Sequence, residues 1–74
     1  MEKHYFTFGQ SRSLANRHQV IVASSPDAAR EVMVRHFGWD WAFQYTEKEW
    51  NGFKEEGFFK NNQPLETIYC QEEA

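Results

Sequence analysis

From Trp39 the chain carries a large ring on every second residue: Trp39, Trp41, Phe43 and Tyr45. Alternate side chains of a strand share one face. A strand over residues 39–45 therefore puts four rings on one side and Asp40, Ala42 and Gln44 on the other. Two readings of that row stand. In one, the four rings face a helix and build the core. In the other, some rings stay exposed as a partner-binding patch, since Trp and Tyr are enriched at binding hot spots. Trp39 and Tyr45, at the two ends, are the rings expected to emerge.

The rest of the chain bounds what can cover such a strand. Seventy-four residues suffice for one domain, residues 1–74, with 71–74 as a frayed acidic tail. A domain of this size needs many large apolar side chains or a covalent or metal staple. An aromatic share of 18% supplies the first, and each buried ring removes roughly 150–250 Å² from water. Cys70 is the sole cysteine and cannot form an internal disulfide, which fits a reducing compartment. It reads as a packed residue rather than a nucleophile. The N-terminus alternates polar and aromatic residues without an apolar run, so no signal peptide is expected. The longest aliphatic run, residues 20–23, is far short of the ~20 residues a membrane helix needs. A soluble, cytoplasmic protein with no membrane contact is the expectation.

Local signals then order the elements. Residues 3–8 alternate and are rich in aromatic and β-branched side chains, which predicts a strand ended by Gly9. Residues 9–16 read as a loop. Residues 17–23 form a second strand with apolar side chains on both faces, hence more central than the first. Ser25, Pro26 and Asp27 are an N-cap, a first-turn proline and a dipole-complementing acid. Ala28, Ala29, Val32, Met33 and Phe37 recur at helical spacing, and Gly38 is the expected C-cap. A helix over Pro26–Phe37 follows. Thr46 and Glu49 match a capping box, which predicts a second helix over residues 47–56 with Trp50 and Phe53 as its apolar contacts, stopped by Gly57. Phe58 and Phe59 are expected to fold back onto the core. Residues 61–64 read as a turn and residues 65–70 as a last strand. The predicted class is α+β in the order β-β-α-β-α-β. A four-stranded, mostly antiparallel sheet would pack against the main helix (26–37), with the short helix (47–56) added.

Charge is distributed unevenly. Residues 1–37 hold five basic and three acidic side chains, whereas residues 38–74 hold three lysines and eight acids, giving −3 for the whole chain. An acidic pole argues against direct nucleic-acid binding, because phosphate affinity needs positive charge at the contact. It suits a basic surface on another protein. The plain alternative is that the acids keep an aromatic domain soluble.

Catalytic and metal chemistry find no support in the spacing. No nucleophile-elbow motif occurs. Glu47/Glu49 and Glu55/Glu56 are two apart or adjacent, spacings that do not face each other on a helix. His4, His18, His36 and Cys70 do not approach ligand spacing, although His4 and His18 could be cross-strand neighbours. No catalytic residue, metal or cofactor is predicted. Tyr5, with Arg12 and Arg17 nearby, could form a stacking platform for single-stranded nucleic acid. The segment lacks the RNA-recognition pattern, however, and Phe6 and Phe8 read better as core.

Several of these residues form a familiar set: Phe6-Thr7-Phe8-Gly9, Ala29-Arg30, Met33, Phe37-Gly38 and Trp41-Ala42-Phe43-Gln44-Tyr45. Together they resemble a group of small proteins found in bacteriophages and prophages. The match spans residues 5–50, and Trp41 to Tyr45 is its most specific piece. The resemblance implies a phage origin and action inside the host bacterial cell. Compact acidic phage proteins without enzyme motifs are often inhibitors of host defence, anti-CRISPR proteins among them. The resemblance carries over no site residues. The functional expectation is a non-enzymatic accessory protein that binds a host or phage protein, such as a nucleic-acid-binding immune complex. Asp40, Glu47, Glu49, Glu55 and Glu56 would make the acidic contact, with Trp39 and Tyr45 at its edges. The alternatives are a nucleic-acid-binding hairpin using Tyr5, Arg12 and Arg17, and a structural or assembly role in the virion.

Overall fold

The computed structural model describes residues 1–8, 16–58 and 62–70. Two strands, β1 (Glu2–Thr7) and β2 (Arg17–Ala23), pair antiparallel, with His4 opposite Ile21 and Phe6 opposite Gln19. Helix α1 (Pro26–Phe37) follows, and strand β3 (Phe43–Thr46) returns antiparallel on the outer edge of β1. Helix α2 (Glu47–Glu55) leads to two short strands, β4 (Gln63–Pro64) and β5 (Ile68–Tyr69), both parallel to β2. The class is α+β; among the described residues the sheet is mixed and has five strands, with β1 and β2 inside.

Strand alternation gives the sheet two different faces. On one, Phe6, Ile21 and Ala23 pack with Ala29, Val32 and Met33 of α1, and Phe8 joins them. Half-buried Phe37, Trp41, Leu65, Ile68 and Cys70 close the edges of this core. On the other face, Trp50 of α2 stacks flat on Tyr5, with centroids 4.8 Å apart and planes 5° from parallel. Each helix thus takes its own side. His4 and His18 fall on opposite faces and are not cross-strand neighbours, because Ile21 faces His4 and Thr7 faces His18.

Helix α1 starts where Ser25 accepts the Ala28 N–H, at 3.1 Å. It ends where Gly38 turns to φ 62°, a conformation that side chains with a Cβ rarely adopt. The Gly38 N–H still reaches Val34 O at 2.7 Å. The capping box of α2 is present in full: Glu49 N–H donates to Thr46 Oγ1, and Thr46 N–H donates to Glu49 Oε1.

Three expectations need correction. The third strand starts at Phe43 and not at Trp39. Residues 39–42 instead form the turn out of α1, where Asp40 N–H donates to Phe37 O and Trp41 Nε1 donates to Gly38 O at 3.0 Å. The row of rings is therefore split between a turn and a strand. The last strand, expected over residues 65–70, is two pieces running parallel to β2, so the sheet among the described residues has five strands and is mixed, not four-stranded and mostly antiparallel as expected. Ile21 is four positions after Arg17, but its partner Ile68 is five positions after Gln63, the partner of Arg17, so the outer chain bulges by one residue. Gln19 fills the gap, its buried amide donating to Glu66 O at 2.7 Å. Pro64, which lacks an N–H, sits on this outer strand, where prolines are tolerated. Last, Phe58 does not enter the core and is largely exposed. Phe59, the Gly9 strand end, the loop over residues 9–15 and the acidic tail over residues 71–74 lie outside the described residues.

Candidate functional site

The side of the sheet that carries α2 holds a connected set of rings. Trp50 contacts Tyr5, His18 at 4.6 Å and Tyr45 at 5.9 Å. Tyr45 meets Phe53 edge-on at 5.5 Å, and Phe53 meets Phe58 edge-on at 5.5 Å. Phe43 lies 6.4 Å from Tyr45 on the same strand face. Exposure rises along the set, from 3% at Trp50 through 37% at Phe53 to 62% at Phe43 and 66% at Phe58. The inner end is core and the outer end is surface.

Local structure places the outer rings. Gly57, at φ 87°, ends α2 with its N–H on Lys54 O, while Phe58 N–H reaches back to Phe53 O. This pair of bonds is a Schellman motif, which brings the residue after the glycine against the third residue from the helix end. Here those two residues are Phe58 and Phe53. Along α2, Glu49 lies four residues before Phe53 and Glu56 three after it, so both are neighbours of that ring on the helix surface. Glu47 and Glu55 instead line a groove with Glu2, Lys48 and Asn51.

The edge of β3 offers little for strand addition. Alternate residues of an antiparallel strand bond to the same side. Thr46 N–H goes to Glu49 and Ala42 N–H turns back to Thr7 O at 2.7 Å. Between them, alternation turns Gln44 alone outward. Its side chain is anchored on Pro26 O at 2.9 Å. Contact on this side of the molecule falls to side chains rather than to backbone pairing.

A second feature lies beside Trp50. Tyr5, His18, Asn51, Lys54, Asn62 and Pro64 are among the residues lining a cavity of about 280 Å³. His18 Nδ1 donates to Asn62 Oδ1 at 2.6 Å, which ties the β4 end of the chain to β2. Burial pushes the His18 imidazole below its ordinary value; the Asn62 hydrogen bond opposes this, and Lys54 adds to it. Burial raises the Tyr5 phenol, and Glu47 raises it further. Both shifts favour the neutral form.

The predicted contact residues are distributed as follows. Trp39 is exposed, with the Arg30 guanidinium 5.5 Å over its ring and Trp41 stacked at 6.1 Å. Its groove, shared with Asp27, Arg30, Glu31 and Arg35, is balanced in charge. Tyr45 is half-buried within the ring set. Glu47, Glu49, Glu55 and Glu56 are exposed on α2 or at its end. Asp40, also exposed, belongs to neither flank of α2 and sits in the turn after α1. Of the nucleic-acid alternative, Tyr5 lies under Trp50, and alternation sends Arg17 to the opposite face, with Phe6. Arg12 lies outside the described residues. Sequence reasoning did not single out Phe58, Phe43 or Phe53 as surface residues. The glycine two residues after the helix end, followed by a phenylalanine, was the signal that could have found Phe58. Among the described residues there is no group of three or more His, Cys, Asp or Glu side chains that could hold a metal ion. Among them, too, no helix is long and apolar enough to cross a membrane.

Set against protein-family models, curated proteins and solved structures, the chain matches none of them.

Proposed function

We propose that this chain is a non-enzymatic binding protein that docks a basic protein surface through the α2 side of its sheet. The observation that carries the reading is the row of rings that leaves the core at Trp50, passes Phe53 between Glu49 and Glu56 on the helix surface, and emerges at Phe43 and Phe58. Exposed rings within a charged rim are a common composition for a protein-binding surface. The acids supply the long-range attraction and the rings supply the area removed from water.

The narrower proposal rests on the motif resemblance: the protein is a phage accessory factor that works in the host cytoplasm as an inhibitor of a defence complex of the anti-CRISPR type. Its acidic side would compete with nucleic acid for a basic groove. Two measurements test the two levels. A Glu47→Lys, Glu55→Lys, Glu56→Lys variant should lose the partner captured by the parent protein, and capture by the parent should weaken as salt rises through the physiological range. Capture indifferent to both changes defeats the electrostatic reading. For the narrower level, expression in a bacterium with an active CRISPR system should restore plating of a targeted phage. Unchanged plating across the defence types tried removes the inhibitor role and leaves the binding role to stand on the first measurement.

A further inference from the structure

We propose that the α2-side patch selects arginine over lysine on its partner, with guanidinium planes lying on the exposed Phe43 and Phe58 rings and their N–H groups donating to carboxylates of α2 such as Glu49 and Glu56. This deepens the binding reading above and rests on it.

Three observations lead there. The first is the juxtaposition of ring and carboxylate. Phe53 has Glu49 one turn before it and Glu56 one turn after it, and Phe58 is folded against its edge by the turn at Gly57. Glu49 uses Oε1 to hold the Thr46 N–H, which fixes the carboxylate while leaving Oε2 to accept another bond. The second is charge. Among the described residues, the row from Glu49 through Phe53 to Glu56 holds no cation, because helical spacing turns Lys54 toward the cavity beside His18 and Lys48 toward the groove with Glu47. The third is internal. Among the described residues a guanidinium already lies on an exposed ring, that of Arg30 over Trp39.

Physical chemistry separates the two basic side chains at such a site. A guanidinium is planar and weakly hydrated, so it stacks on a ring and presents its N–H groups to a neighbouring carboxylate at the same time. An ammonium is compact and strongly hydrated and meets either the ring or the carboxylate as a point charge. A patch made of carboxylates alone would show little preference. A patch of rings beside carboxylates prefers arginine.

Two synthetic peptides that differ solely in having arginine or lysine at every basic position provide the probe, titrated calorimetrically against the intact protein at physiological salt. The arginine peptide should bind about tenfold tighter than the lysine peptide. In a Phe43→Ala, Phe58→Ala variant the preference should shrink to about twofold or less, with the melting temperature unchanged because both rings are mostly exposed. Equal affinity for the two peptides overturns the arginine inference and leaves the acidic docking surface standing. A preference for arginine that survives in the variant overturns the location. Binding of neither peptide overturns both this inference and the basic-partner reading beneath it.

Discussion

The two faces of the sheet are built on different terms. Under α1 the core is closed: Phe6, Ile21, Ala23, Ala29 and Met33 are completely covered. Under α2 the packing is aromatic and open-ended, starting fully buried at Trp50 and finishing exposed at Phe58. Helix length accounts for part of the contrast. The twelve residues of α1 lie over the middle of the sheet, while the nine of α2 bury Trp50 and leave the remaining rings at its margin. A closed aliphatic face maximises area removed from water. A face whose rings continue past the helix gives up some of that area and keeps a surface that another molecule can cover. The closed side thereby supplies most of the buried aliphatic core, and the open side is the one to which the proposed binding role belongs.

The sharpest way to break this comparison is to open the closed side. Phe6→Ala should cost about 3–5 kcal/mol of unfolding free energy, read from a denaturant melt, because it removes a fully buried ring and leaves a cavity. A loss below about 1 kcal/mol would mean that the α1 side is not the principal core. The next effect has the opposite sign. His4 is buried on that same side, and among the described residues neither ring nitrogen has a hydrogen-bond partner. His4→Leu should therefore stabilise the fold by about 1–3 kcal/mol, the typical cost of an unsatisfied buried polar group. A destabilised variant would show that the imidazole has a role that its packing does not reveal.

A smaller, pH-dependent effect belongs to the open side. Burial lowers the His18 value in the fold, while the unfolded chain keeps the ordinary value near about 6.5. In the window between the two, the unfolded chain binds more protons. Stability should fall as pH drops from about 6.5 toward the lowered value and should not depend on this group above about 6.5. A His18→Gln variant should flatten that slope, and a slope that persists unchanged assigns the titration elsewhere. The smallest effect is expected at the outer end of the ring row. Phe58→Ala should alter stability by no more than about 0.5 kcal/mol. A larger loss would make Phe58 part of the core and erase the distinction between the faces.

Much of the local structure was legible along the chain because its causes are local. The Ser25 cap, Pro26 and the apolar spacing of α1 are consequences of helix ends and helix period, and the helix occupies the predicted Pro26–Phe37. The Thr46–Glu49 capping box likewise involves atoms three residues apart. The alternation of rings from Trp39 to Tyr45 was a real pattern, but only its second half, Phe43 and Tyr45, lies in a strand. The turn demanded by Gly38 and the bond from Trp41 to Gly38 O claim the first half. A period of two does not reveal where pairing with β1 begins, because register is set by the partner strand.

What the sequence by itself determined, then, is the set of elements with local causes: two capped helices, the first two strands and a charge gradient running toward the C-terminal half. Tertiary structure alone decided that the helices take opposite faces. It also decided that the last strand bulges around the Gln19 amide, and that the rings of α2 lead outward while Phe6 and Ile21 are sealed inward. These outcomes depend on pairings between residues tens of positions apart. Apolar side chains report only that they prefer to leave water, and which of them succeed is a matter of the area each helix can cover.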